Sequence, residues 1–163
     1  MFCIKEGSYS IDMMLNNDPE APKFVGGTVY QAYLSAISYH RWNSPVSGKI
    51  IKTQLVEGSY YSSDINVQDD AFAQTKSQSY ICHIASRAYI LIQADNDDIG
   101  LMCFLAVGMA EVSSNEITVK EGNHVKKGHQ LGMFHYGEMF ERLGMFELPG
   151  MFELPGMLTS WNV

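Results

Sequence analysis

Apolar positions change their spacing twice along this chain of 163 residues. Residues 1–24 contain Asp18, Pro19 and Pro22 and show little periodicity, which predicts an irregular lead-in. From Thr28 the spacing becomes helical, with Val29, Tyr30, Tyr33, Leu34 and Ile37 on one face at three-, four- and seven-residue intervals. Thr28 and Gln31 have the spacing of a capping box, Gly26-Gly27 lets the chain turn in, and Pro45 stops the helix soon after His40.

From Pro45 onward the pattern is that of strands. Gly48 leads into Ile50, Ile51 and Val56, and the polar residues 62–78 predict a surface loop. Three apolar runs follow, Tyr80–Ala85, Ala88–Ala94 and Leu101–Val107, bounded by turn formers such as Asp95-Asn96-Asp97-Asp98 and Gly100. Runs without alternation predict strands covered on both faces. Ile117–Lys120 predicts a further short strand. Beyond it, Gly122 and Gly128 supply positive φ at two tight turns, with Val125 and Leu131 pointing into the core. The expected architecture is mainly β (α+β), with one substantial N-terminal helix. Three stretches follow: a lead-in over 1–24, a core over 25–137, and a tail over 138–163.

Composition narrows the possible functions. Apolar residues make up 46% of the chain, so most of it can fold. The formal charge is −7 and no basic cluster exceeds Lys126-Lys127, which argues against nucleic acid and anionic membranes as partners. The run Leu101–Ala110 is too short to span a bilayer, and Met1–Ser10 lacks the apolar stretch of a signal peptide. Cys3, Cys82 and Cys103 are odd in number and lack C-x-x-C spacing, which disfavours a disulfide framework or a zinc ribbon. Buried thiols in a reducing, cytoplasmic setting are expected. His124, His129 and His135 are spaced by five and six, which does not put them on one strand face, so they read as turn and surface residues rather than metal ligands. Ser44 has no evident base and reads as the cap of the turn into Pro45.

The segments SPVSGKI (44–50) and VKEGNHVKKGHQLGMF (119–134) resemble the barrel-sandwich of lipoyl and biotin carriers, but no M-K-M or D-K-[AV] hairpin is present to support the carrier function. A broader resemblance joins more of the chain. YHRWNSPVSGKI (39–50), ADNDDIGLMCFLAVGMAEVS (94–113) and ITVKEGNHVKKGHQLGMFHYG (117–137), in this order, resemble the catalytic core of the phosphatidylserine decarboxylase family. FVGGTVYQAYLSAISYHRW (24–42) is similar to its fungal members in particular. The resemblance implies a carboxy-lyase that cuts itself between glycine and serine, leaving a covalently bound pyruvoyl group at the new N-terminus. That group forms an imine with the substrate's amine and accepts the electrons released as CO₂ departs. The implied substrate is an aminophospholipid or an aromatic amino acid, and a homo-oligomer stays open.

Matched residue by residue, the chain departs from the family pattern. The family's Gly-Ser motif falls where Gly137 is followed by Glu138, which has neither hydroxyl nor thiol. The second histidine of the family's Y-H-R-x-H, the base that activates the serine, is replaced by Asn43, whose amide does not titrate near neutral pH. The aspartate that the family pairs with that base lies upstream of the matched region. His40 matches the first histidine, which assists decarboxylation, and is the one catalytic residue carried over. The segment Gly108–Glu111 matches a stretch near the family's substrate pocket, although Met109 has the character of core packing. After Gly137 the hexapeptide GMFELP occurs in tandem at 144–149 and 150–155, where Pro149 and Pro155 exclude a continuous helix. A non-catalytic remnant or binding module of the same fold is the alternative to a decarboxylase.

Overall fold

The computed structural model describes residues 2–4, 7–34, 39–62, 64–67 and 73–136. Two antiparallel sheets curl against each other into a half-barrel. One holds β4 (Gly48–Val56), β5 (Arg87–Ala94), β6 (Leu101–Val107) and β8 (His124–Val125) in the order β6-β5-β4-β8. The other holds β3 (Arg41–Asn43), β7 (Val112–Ile117) and β9 (Gln130–Tyr136) in the order β3-β9-β7. A short hairpin, β1 (Phe2–Ile4) with β2 (Gly7–Tyr9), precedes them.

Strand β5 is covered on both faces, as the unalternating apolar run predicts. Ala88, Ile90 and Ile92 face the other sheet and pack with Trp42, Ile50, Val125 and Leu131. Tyr89 and Leu91 face the opposite way, against Leu15, Ala21 and Val56. The turns at Gly122 and Gly128 both have φ of +86°, and Val125 and Leu131 are buried.

Several expectations need correction. The predicted helix from Thr28 to His40 is not formed over 28–34, and residues 35–38 lie outside the described residues. Among the described residues nothing covers its apolar face: Val29, Tyr30, Tyr33 and Leu34 are all exposed. A helix rich in Val, Tyr and Thr draws its stability from burying that face rather than from propensity, and here the burial is missing. The run expected as a strand at Tyr80–Ala85 is helical up to Ile84, within α3 (Gln78–Ile84), and only Ala85 is extended. It is too short for periodicity to decide, and burial of Ile81 and Cys82 settles it as a helix turned onto the hairpin. The polar stretch 62–78 contains a 3-10 turn at Ile65–Val67 and α2 (Ala73–Lys76). The strand expected at Ile117–Lys120 starts and ends earlier, as β7.

The lead-in over 1–24 is not irregular. After the hairpin come α1 (Ile11–Met14) and a 3-10 turn (Ala21–Phe24), and Tyr9, Met14, Leu15 and Ala21 are buried. Its periodicity is invisible because its elements span three or four residues each. The anchor is polar. Asp18 is 7% exposed and accepts hydrogen bonds from the Tyr89 hydroxyl, the Lys52 ammonium and, at 2.8 Å, the Glu20 amide. Burial by itself would raise the Asp18 carboxyl; the bonds from Lys52, Tyr89 and Glu20 outweigh it and hold the carboxyl below its usual range. Burial, reinforced by the Asp18 charge, raises the Tyr89 phenol well above its usual value.

Two outcomes follow from this packing. A Cβ on Gly132 would lie 2.2 Å from the Glu116 carbonyl oxygen and 2.5 Å from the Trp42 ring, so Gly132→Ala forces β9 away from its neighbours β7 and β3 within one sheet. A loss of about 1–3 kcal/mol is expected, read as a lower urea midpoint with unchanged slope. The second outcome concerns acid. Because the folded Asp18 carboxyl titrates below its unfolded value, its contribution is complete above the unfolded carboxylate range and is lost as pH falls through the folded value. Urea midpoints measured from pH 6 down to pH 2 should therefore fall steeply, and Asp18→Asn should be less stable at pH 6 with a shallower acid decline.

Candidate functional site

The two sheets open at one end. There β4 finishes at Val56, β5 begins at Arg87, β6 finishes at Val107, β7 begins at Val112 and β9 finishes at Tyr136. The register gathers several polar and aromatic side chains at this end. Asn115 of β7 lies opposite Phe134 of β9. On the far side of β9, the Phe134 amide donates to the His40 carbonyl at 3.0 Å, one residue before β3. Directly opposed residues share a face, so His40, Phe134 and Asn115 form one row across the sheet. Trp42 lies in the core beneath, its ring 5.1 Å from that of Phe134.

His40 is half-buried. Its Nε2 is 3.1 Å from the Tyr136 hydroxyl, and its ring meets those of Phe134 and Tyr136 edge-on. Burial raises the Tyr136 phenol, with a smaller contribution from the Glu111 charge, so the hydroxyl stays protonated and able to donate. His40 thus stands beside the last described residue of β9, next in sequence to Gly137. Asn43 is exposed at the other end of β3 and donates from Nδ2 to the Gly128 carbonyl at 3.0 Å, clamping the turn into β9.

Below the row lies a small cleft with about 20 Å³ of room for a water-sized occupant. Ser86 and Ser114, both buried, line it together with Glu57, Tyr60 and Asn115. Asn115 Nδ2 donates to the Ser86 hydroxyl at 3.3 Å, which ties the two sheets together at this point. Sequence reading missed these residues because it began the strand at Ile117. The available signal was Ser113-Ser114-Asn115 between apolar Val112 and Ile117: three small polar residues where a solvent-facing strand would alternate.

The remaining candidates do not converge. His124 Nε2 bonds the Asp95 carboxylate at 2.9 Å, and His135 Nε2 bonds Glu116 at 2.6 Å. His129 sits in the turn before β9, and among the described residues no group of histidines, cysteines and carboxylates is placed to hold a metal ion. Ser44 is buried and donates to the Val46 carbonyl at 2.6 Å, which is the capping role its sequence suggests. Among the described residues, no helix is long and apolar enough to cross a membrane.

The family model of phosphatidylserine decarboxylase matches residues 1–139, which takes in both sheets and the end at which they open. The chain belongs to the phosphatidylserine decarboxylase family. Curated relatives agree. It is 47% identical to a protein named decarboxylase iboD from Amanita muscaria, over 77% of this chain and 39% of the relative. It is 43% identical to an L-tryptophan decarboxylase of Psilocybe cyanescens, over 75% of this chain and 30% of the relative. Identity is 32% to phosphatidylserine decarboxylase proenzyme 3 of Schizosaccharomyces pombe, over 77% of this chain and 12% of that protein. The chain therefore spans well under half the length of these relatives. The match starting at residue 1 also joins the lead-in to the family fold, as the packing of Tyr9 and Leu15 does.

Burial disfavours the thiolate form of both thiols near the sheet. Burial pushes Cys82 up to about 11 and Cys103 up to about 12, the first only partly offset by the Arg87 charge. With Ellman's reagent at pH 8, both should be inert in the folded chain and react in denaturant, with peptide mass mapping to separate them from Cys3.

Proposed function

We propose that this chain, as its sequence stands, has the architecture of a pyruvoyl-dependent carboxy-lyase without the means to form the pyruvoyl group. The observation that carries this reading is Glu138, which follows Gly137 where the family has its serine. A carboxylate side chain offers no hydroxyl to attack the preceding carbonyl, so the residues at this position do not fit the group. Asn43 supports the same reading: its amide holds the Gly128 carbonyl, and it has no titratable nitrogen to act as a base. His40, beside the end of β9, keeps the place of a residue that lines the substrate. The substrate class is an amino acid or an aminophospholipid, and the reading places the chain in the cytoplasm.

A second reading, a working decarboxylase, draws on the 47% identity to a protein named as one. Intact-mass spectrometry of the purified chain separates the two. A single polypeptide of the mass its sequence implies is expected after long incubation, while two fragments divided near Gly137 would overturn the proposal. Glu138→Ser is expected to stay uncut as well. General-base assistance is worth about 10²–10⁴-fold, and Asn43 supplies none. Efficient cleavage of that variant would show that another group, such as His40 or His135, is the base.

A further inference from the structure

We propose that the free edge of β6 takes up an extended peptide strand of a partner protein, apolar on both faces and basic at both ends. The proposal is independent of the decarboxylase reading and concerns a different surface of the half-barrel.

Strand β6 lies at the edge of its sheet, paired with β5 alone. The Ala94 amide donates to the Gly100 carbonyl and the Gly108 amide to the Ser86 carbonyl, both at 2.9 Å. The pairing between these two bonds has no register shift, so Met102, Phe104 and Ala106 also turn their backbone groups to β5. Leu101, Cys103, Leu105 and Val107 turn theirs outward, and among the described residues none of the four has a backbone partner there. Folded proteins usually blunt such an edge with a lysine, a proline or a bulge. LMCFLAV has neither charge nor proline, and its pairing is unbulged. An edge of this kind is a template for another strand.

The side chains say what that strand carries. Met102 and Phe104 pack toward Trp42 and Ile50, while Leu101, Cys103 and Leu105 pack toward Leu15 and Tyr89. Every residue of β6 but Ala106 stays half-exposed. An added strand extends both faces, so it needs apolar side chains on both sides. Charge sets its ends. Asp97 and Asp98 precede β6 and Glu111 follows it, all exposed, and no lysine or arginine lies between Arg87 and Lys120. Arg87 itself is buried and turned to the Met13 and Met14 carbonyls. Basic residues at both ends of the incoming strand meet these acids. A second copy fits worse: β6 set antiparallel on β6 about Phe104 brings Asp97 and Asp98 of one copy beside Glu111 of the other. Residues 138–163 also fit worse, with four glutamates against Arg142 and prolines at 149 and 155.

The test uses the full ¹⁵N-labelled chain and an acetylated, amidated peptide, Arg-Arg-Val-Tyr-Val-Tyr-Val-Arg-Arg, which holds no primary amine. Amide hydrogen exchange is the readout. In the free chain, Leu101, Cys103, Leu105 and Val107 should exchange at least about tenfold faster than Met102, Phe104 and Ala106. Saturating peptide should slow the four outward amides at least about tenfold more than the other three. The same peptide with glutamate for arginine, or with proline for the central valine, should bind at least about tenfold more weakly. Asp97→Asn combined with Asp98→Asn should weaken the arginine peptide about threefold. Equal binding of the arginine and glutamate peptides, slowing spread evenly over all seven amides, or outward amides that the peptide leaves unprotected would overturn the proposal. So would outward amides already protected in the free chain. Protection that falls on dilution would assign the edge to a second copy, and protection that persists would assign it to the chain's own segments. None of these readouts depends on whether the chain cuts itself at Gly137, so this proposal and the one above fail separately.

Discussion

The double burial of β5 organises this structure. Its side chains alternate between two apolar clusters, Ala88, Ile90 and Ile92 on one side and Tyr89 and Leu91 on the other. Because the period is two, a slip of one residue would exchange every side chain between the clusters. The register is therefore held from both neighbours: Ile92 pairs with Ile50 on β4, and Ile90 with Phe104 on β6. Ser86, just ahead of the strand, reaches Asn115 of the other sheet from a position that this register sets.

The same strand holds the N-terminal segment through polar contacts. Tyr89 meets Asp18, which also meets Lys52 of the neighbouring strand, so a buried carboxylate has three donors from three places in the chain. Arg87 is 4% exposed and donates to main-chain carbonyls at the end of α1, which a helix leaves without internal partners. Burial lowers the Arg87 pKa, yet guanidinium begins so high that it remains charged. Placing Asp18 and Arg87 inside costs desolvation, and leaving either without its acceptors or donors would cost more. These contacts therefore specify where residues 9–20 lie as well as holding them there.

Much of the β architecture was legible because burial on both faces writes itself as unbroken apolar runs, and because Gly122 and Gly128 mark turns that need positive φ. What was not legible depended on partners. The face of Val29, Tyr30 and Tyr33 has helical spacing, but spacing stabilises a helix only when something covers the face. The run Tyr80–Ala85 contains Ile81 and Cys82, which suit either a strand or one buried helical turn, and only the hairpin packed beside it decides. At the open end of the sheets, His40 was singled out through its Tyr39-His40-Arg41 context. Asn115 escaped notice because its importance comes from the sheet opposite, to which nothing in its local sequence points.

Fold and chemistry separate in this chain at a definite place. The residues that build the half-barrel end with β9, whose inward Leu131 is fully buried and whose Tyr136 reaches His40. The residue on which the proposed function turns is Glu138, next in sequence to Gly137. The fold rests on the packing of β3 to β9, while the proposed chemistry turns on whether residue 138 is serine or glutamate. High identity to named decarboxylases measures the first of these and is silent on the second. Asn43 makes the same point from within the fold. Where the proposed function would need a base, it clamps the Gly128 turn with an amide. A barrel end can thus be kept intact, with His40 beside the end of β9, while the function we propose for the chain turns on a single residue beyond it.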